Sequence, residues 1–593
     1  MQPRSVIRVS AVLAVGAVLA ALLTAPSVAA PAASRASGRY LVVARSAADL
    51  SGLRAKAVRE GAKVIHSMPQ LKAMAIQGTD SVRASLAADG RTRGVARDRL
   101  QKITPTERNA FRLSAPGLRS ATRVSVGARA TAQAATAIDP DPAWDYKGLL
   151  WDYRRIGLPQ GWRTTAGSRA VTVGVADTGL DFTHRELSSK VKAVIDFTGL
   201  EDPPVCETFF GASDADLAAK FGGPEKTDWN GHGSWIGGNI AAALNGTGTN
   251  GIAPRVGLVA LKISQWCGST FDSTILAAFV TAADLGLDVV SISFGGYKDR
   301  SDPDQELAYQ ALVDAVRYAR GKGTLIVASA GNEHLRIGAG GRVLSHGPTT
   351  APGDPFVDRF GQYETPGGIP GVVDVSATNN VVVPSSASCP PGTTGDPDNL
   401  NATCKPASDR HQAAGQGRRN QLAYYSNYGP RIDLAAPGGA RKFNLPFWDR
   451  GGTPGFPYTS DGLTNAWQTF STTSNWAVEI PCFVFTKGSG FPQSQCYSAI
   501  QGTSMATPHV SAAVALTASA HPSLRHRPAA LLARLKARAN TNVHNLTQAL
   551  SASDTSPGEL DPDLCTAGYC HLGGPRISDS DAYGAGLVNI ANP

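Results

Sequence analysis

Between Ala170 and Ser376 the sequence alternates short, continuous apolar runs with longer helical patterns, and few architectures accept that alternation. The runs are Ala170 to Ala176 (AVTVGVA), Val256 to Ile263, Asp288 to Ile292, Thr324 to Ala328 and Gly371 to Ser376. Helical patterns fall between them, from about Ser273 to Gly286 and from about Gln305 to Arg320. A strand that is apolar at nearly every position is buried on both faces. Strands separated by helices join in parallel, and the helices cover the sheet on both sides. The expectation is an α/β domain of three layers with a central parallel sheet, occupying residues 139–593.

The stretches before this domain have a different character. Arg4 and Arg8 precede an uncharged apolar run from about Ala11 to Leu23, and small residues follow through Ala29 and Ala30. That is the layout of a secretory signal peptide over residues 1–30, too short in its apolar run for a membrane span. From residue 31 to 138 there are 19 Lys and Arg against 6 Asp and Glu, a net charge of +13. Residues 139–593 carry a net −6, so the overall +9 misrepresents the larger domain and gives no ground for a nucleic-acid partner. Within 38–104, strand patterns at Tyr40–Ala44, Lys63–His66 and Met74–Ile76 alternate with helical ones at Leu50–Glu60 and Ser81–Ala88. This order suits a small split-βαβ, α+β domain. Residues 105–138 are rich in Ala, Ser, Thr and Arg and read as a linker.

All eight cysteines lie beyond residue 200. An even number after a signal peptide implies disulfides. Cys389 with Cys404, Cys482 with Cys496 and Cys565 with Cys570 are close enough to close local loops, which would leave Cys206 with Cys267; the count alone permits other pairings.

Chemistry concentrates in Gly502-Thr503-Ser504-Met505-Ala506-Thr507-Pro508-His509, a hydroxyl among small residues just before an apolar helical run. A serine in the first turn of a helix sits where free N–H groups and the helix dipole favour developing negative charge. The stretch resembles the nucleophile motif of subtilisin-like serine proteases. Three further segments resemble that family in the same order. Asp177-Thr178-Gly179 follows the first apolar strand, Asn230-Gly231-His232-Gly233-Ser234 opens a helical pattern, and Ser329-Ala330-Gly331-Asn332 follows the fourth strand. The resemblance implies that Ser504 is the nucleophile, His232 the general base and Asp177 its orienting carboxylate. It makes Asn332 the oxyanion donor beside the Ser504 N–H. Trp235 stands where the family's pattern has a second histidine. His184 and His509 are given structural roles.

Ser293, Phe294 and Gly295 resemble one wall of the family's substrate cleft, and Ala330, within Ala328–Gly331, the opposite wall. Neither wall holds a carboxylate, so an apolar-accommodating pocket is expected, with Glu333 nearby. Insertions near 199–227, 335–365, 382–418 and 440–498 have no counterpart in compact members of the family. The domain over 38–104 resembles the family's inhibitory propeptide. The resemblance implies a secreted, self-processing, monomeric serine endopeptidase that acts on proteins or peptides and is inhibited by its own propeptide, with no membrane or nucleic-acid partner. No cofactor is required; a structural calcium near Asp181 and Asp228 is possible on the same basis. A secreted pseudo-protease acting as a binding protein, and a peptide ligase using the same triad, are the alternative functions.

Overall fold

A computed structural model of the chain describes residues 37–102, 150–200, 204–246, 248–346, 358–380, 419–440, 469–480, 483–484, 495–549 and 574–593. The expected signal peptide, the linker and the insertion at 382–418 lie outside the described residues, as do Cys389, Cys404, Cys482, Cys565 and Cys570.

The first unit comprises β1 (Ser37–Ala44), α1 (Ala47–Arg59), β2 (Lys63–Met68), β3 (Ala73–Thr79), α2 (Asp80–Ala87), β4 (Thr92–Arg97) and the short β5 (Leu100–Lys102). Its sheet has the order β2-β3-β1-β4, with β1 antiparallel to both neighbours. Along β1, side chains alternate between two cores. Tyr40, Val42 and Ala44 face Leu50, Leu53 and Leu86 of the unit's own helices. Leu41 and Val43 face the other way and join the core of the larger unit.

The larger unit opens with α3 (Trp151–Arg155) and α4 (Leu158–Gly161), then β6 (Thr172–Asp177) and β7 (Val191–Asp196). Next come α5 (Val205–Phe210), α6 (Asp214–Phe221), α7 (His232–Ala241), β8 (Gly257–Lys262), β9 (Ser269–Phe271), α8 (Asp272–Asp284), β10 (Val289–Ile292) and β11 (Gly296–Lys298). They are followed by α9 (Pro303–Gly321), β12 (Leu325–Ser329), β13 (Tyr363–Thr365), β14 (Val373–Asn380), β15 (Arg419–Leu422) and β16 (Leu434–Pro437). The chain ends through β17 (Thr469–Thr472), β18 (Phe483–Val484), β19 (Cys496–Ile500), α10 (Thr503–Ala520), α11 (Pro528–Arg538) and α12 (Asp579–Tyr583).

The central sheet runs β15-β14-β12-β10-β6-β8-β7, with β16 also on β14. All its pairs are parallel except β14 with β15. The apolar runs are explained by burial on both faces. Val173, Val175, Leu325 and Val327 point to the layer of α7 and α10, whereas Ala176, Ile326 and Ala328 point to that of α8 and α9. The α/β three-layer expectation with a preceding α+β unit therefore holds. β7 escaped the sequence reading because this edge strand is only partly buried.

Two insertions have defined places. α5 is tied to the segment before β9 by a disulfide between Cys206 and Cys267, the pair left over by the local-loop assignment, and α6 by Asp214 Oδ1, which accepts from Trp266 N at 2.9 Å. β17, β18 and β19 form a small sheet against α7, where Trp235 Nε1 donates to Ser498 O at 3.1 Å. Cys496 is disulfide-bonded as well. Among the described residues no helix is long and apolar enough to cross a membrane.

Candidate active site

Four elements deliver the expected residues to one region. Asp177 is the last residue of β6, His232 the first of α7, and Ser504 the second of α10, while Asn332 lies just past β12. Functional groups collect at such carboxyl ends of parallel strands.

Asp177 and His232 are bonded directly, Nδ1 to Oδ1 at 2.8 Å, with 0% and 1% of their surfaces exposed. Glycine makes this approach possible. A Cβ on Gly233 would lie 2.1 Å from Gly179 O, so only glycine lets the start of α7 rest on the Asp177 turn. Gly231 has φ of 102°, a left-handed conformation that L side chains disfavour. Asp228 fastens both pieces. Its oxygens accept from Thr178 Oγ1 (2.8 Å) and from the N–H groups of Asn230, Gly231 and Ser234 (3.1, 2.8 and 2.7 Å). The sequence signal for this role was a carboxylate two residues before an Asn-Gly-His helix start. Burial alone would lower the pKa of His232; the charge and hydrogen bond of Asp177, with Asp228 beyond, outweigh it and leave the imidazole raised. His232 Nε2 has no hydrogen-bond partner.

Ser504 is 2% exposed. Its Oγ donates to Ser293 O at 3.4 Å, and Ser293 Oγ donates back to Ser504 O at 3.1 Å. Pro508 accounts for the second bond. Four residues after Ser504 it has no N–H for the Ser504 carbonyl, and the Ser293 hydroxyl takes that place. The same wall touches the histidine, for the Phe294 ring meets the His232 ring edge-on at 6.5 Å. His232 and Ser504 thus border one cleft, although no hydrogen bond joins them. Asn332 Oδ1 accepts from Thr503 N (2.9 Å) and Thr503 Oγ1 (2.8 Å). A backbone N–H can only donate, so this fixes the amide's orientation. Asn332 Nδ2 is left buried and unpartnered.

The two expected walls stand as separate segments. A Cβ on Gly295 would lie 2.9 Å from Thr365 O. Ala330 N donates to Val375 O at 3.1 Å, and Ala330 O accepts from Asn427 Nδ2 at 2.6 Å. Acidic groups stand behind them, Glu333 as the sequence suggested and Glu364 and Asp374 as it did not. Glu333 accepts from the Tyr297 hydroxyl at 2.7 Å. A Cβ on Gly367 would strike Asp374 Oδ1 and Glu364 Oε1 at 2.7 and 2.8 Å, with Ser329 O at 3.2 Å. Neither oxygen of Glu364 or Asp374 has a hydrogen-bond partner. The walls expected to accommodate apolar side chains therefore have Glu333, Glu364 and Asp374 behind them.

The two histidines given structural roles, His184 and His509, are internal. His509 is held by Met505 O (2.8 Å) and Asp152 Oδ2 (2.9 Å). Burial lowers His184 to about 3, so it stays neutral. The Asp181 and Asp228 surroundings do not fit a calcium ion. All four oxygens already accept from N–H or O–H groups, Asp181 from Thr183, His184 and Asn475. A hard cation needs oxygen ligands in place of those donors.

A short strand of the first unit lies against the larger unit. β5 pairs antiparallel with β9, Leu100 opposite Phe271, Gln101 opposite Thr270 and Lys102 opposite Ser269. Leu100 packs near Val205, Cys206 and Phe271, so the α5 insertion borders this strand. The insertion after 440 borders His232 instead, where Ile480 N donates to Asn230 O and Thr473 Oγ1 to Gly231 O, both at 3.0 Å.

Comparison with known proteins adds a family to this geometry. A sequence profile of the subtilase family matches residues 168–556. Thermitase of Thermoactinomyces vulgaris is 32% identical over 181 residues, covering 30% of this chain and 53% of that protein. Subtilisin NAT of Bacillus subtilis subsp. natto is 25% identical over 353 residues, covering 60% of this chain and 56% of that protein. The chain spans about half the length of the curated relatives it matches. Among solved structures, the epidermin leader peptide processing serine protease of Staphylococcus aureus matches with a TM-score of 0.54 at 17% identity, covering 94% of this chain and 97% of that one. Fervidolysin of Fervidobacterium pennivorans matches at 0.50 and 18%, over 94% of this chain and 60% of that one. At these identities the structural likeness bears on the fold.

Proposed function

The chain belongs to the subtilase family, and we propose from that premise that it is a secreted, self-processing serine endopeptidase acting on proteins or peptides. The observation that carries the reading is the buried Asp177–His232 bond with Nε2 unpartnered, beside a helix start that presents Ser504. Ser504 Oγ leaves Ser293 O, passes its proton to His232 Nε2 and attacks the substrate carbonyl. Asp177 holds the proton on Nδ1 and stabilises the imidazolium, which then protonates the departing amine. The tetrahedral O⁻ receives hydrogen bonds from Asn332 Nδ2 and the Ser504 N–H, which has no acceptor within the first helical turn.

Residues 31–138 act as the propeptide, and the pairing of β5 with β9 supports their role as the inhibitor. Asp98 Oδ1 accepts from Ser273 N at 3.0 Å, capping α8 from outside, and Arg83 meets Asp304 at 3.0 Å. Secretion rests on the residue 1–30 layout, and the enzyme works as a monomer.

The test is labelling of the secreted, matured protein with a serine-directed phosphonate. Ser504 should take the label, and Ser504→Ala should lose both label and casein hydrolysis, by about 10⁶-fold on the scale known for subtilisin itself. A matured, folded protein that takes no label would point instead to a binding protein. Peptide joining in place of hydrolysis, with an amine acceptor present, would identify a ligase.

A further inference from the structure

The strand that pairs with β9 also carries a side chain held by the larger unit. Gln101 lies between β9 and the start of β11. Its Nε2 donates to Asp272 Oδ1 at 3.0 Å. Its Oε1 lies where a Cβ on Gly296 would be, 2.0 Å away, so only glycine at 296 leaves room for it. Asp272 in turn is bonded through both oxygens to Lys298 Nζ, at 2.7 and 2.6 Å. The pair is buried, with 8% of the Asp272 side chain and 1% of the Lys298 side chain exposed. Beneath it the cavity is lined by Ile275, Leu276 and Leu312.

The direction of β5 says which side of the scissile bond this is. From Leu100 to Lys102 the strand runs toward Ser269 and the segment before it. There Trp266 O accepts from Asn230 Nδ2, two residues from His232. The chain therefore approaches the catalytic groups from Gln101, and Gln101 precedes the bond to be cut.

We propose that Asp272 and Lys298 form a specificity subsite that selects a neutral amide side chain, glutamine above all, at the substrate residue facing Thr270. This rests on the endopeptidase reading given above. A carboxylate at that residue meets Asp272 acceptor to acceptor. A cation meets Lys298, which already neutralises Asp272 in a site with little water. A third charge beside a buried pair is costly whichever its sign. An aliphatic side chain fills the apolar base but gives Asp272 no hydrogen. The amide brings an N–H and no net charge.

The test uses peptides copying residues 97–110, internally quenched, with Gln101 kept or changed Gln101→Glu, Gln101→Lys or Gln101→Leu. With the matured enzyme, kcat/KM for the Gln peptide should exceed that for Glu and Lys by at least about tenfold, the size expected for one buried polar mismatch, and should not fall below Leu. In the double variant Asp272→Asn with Lys298→Met these ratios should shrink to within about twofold; ratios inside one preparation do not depend on its folded fraction. A flat profile in the wild type, a preference for Leu, or ratios unchanged in the double variant would each overturn the subsite.

A second arm needs no catalysis and separates the two readings. In the full-length chain carrying Ser504→Ala, Gln101→Glu should speed amide hydrogen exchange across residues 100–102. Adding Asp272→Asn should restore the protection, because the introduced carboxylate then faces an amide and Lys298. If Ser504 never takes the phosphonate label but this rescue is seen, the endopeptidase reading fails and the subsite stands. If labelling succeeds and the rescue fails, the reverse holds.

Discussion

His232 feels two opposing influences, and their balance fixes its pH behaviour. Burial favours the neutral ring, but Asp177 at 2.8 Å favours the cation more strongly, so the pKa lies above its ordinary 6.5. In the proposed mechanism His232 must be neutral to accept the Ser504 proton. Activity should therefore rise with pH through a limb above 6.5. Asp177→Asn removes the charge and the acceptor together. The limb should then move down in pH while kcat falls by about 10⁴-fold, as the tautomer is no longer held. A pH profile of kcat/KM on both proteins checks this; a limb that stays in place after the substitution would mean that another group titrates. Asn332 tells a complementary story at the same scale. Its position after the fourth strand was legible in the sequence, but the reason its Nδ2 points free, the clamp of Thr503 on Oδ1, required the third dimension.

At the scale of elements, β13 and β14, on either side of the turn that joins them, each hold a carboxylate that folds against its own preference. Asp374 is fully buried and Glu364 is 3% exposed. Burial pushes Asp374 up to about 7, against the pull of Arg431 and with a push from Asp433. Burial and then the Asp374 charge push Glu364 well up as well. A carboxyl with a raised folded pKa binds more protons folded than unfolded between the two values. Stability should thus fall as pH rises from about 4 to about 7, the reverse of a salt-bridged aspartate. Asp374→Asn should flatten that slope and raise Tm at pH 8 by about 2–5 °C, measured by calorimetry against the wild type. A larger penalty at pH 8 than at pH 5 would show that the charge is needed to hold Arg431. None of this was readable from sequence. Glu364 and Asp374 are ten residues apart, and their meeting depends on how β13 and β14 are placed around Gly367. The parallel strands were readable because burial on both faces writes itself into residue type. Residues that act through contacts distant in sequence, such as Asp272 on Gln101, carry no such local mark.

For the whole molecule, the question is what binds the basic first unit to the acidic second. Two kinds of contact compete for the answer. Leu41, Val43, Met68, Leu71 and Ala73 are buried in the same core as α8 and α9, and apolar burial is insensitive to moderate salt. Around this patch stand charge pairs between the units, Arg83 with Asp304 at 3.0 Å, Arg99 with Asp302 at 2.5 Å and Arg93 with Asp314 at 3.8 Å. All three are partly exposed, so each contributes at most about 1 kcal/mol and is screened by salt. Apolar contact should therefore hold the complex and charge should tune it. Raising NaCl from about 0.05 to 1 M shrinks the screening length from over 10 to about 3 Å. Three pairs of roughly half a kcal/mol each then predict that the inhibition constant of residues 31–138, added as a separate chain to the matured enzyme, weakens about tenfold and not more. In the triple variant Asp302→Asn, Asp304→Asn, Asp314→Asn the constant should start weaker and lose most of its salt dependence. An inhibition constant that does not move with salt in the wild type would leave the opposed charges, +13 and −6, without a part in holding the units together. A hundredfold change would mean that the charge field reaches well beyond these three pairs.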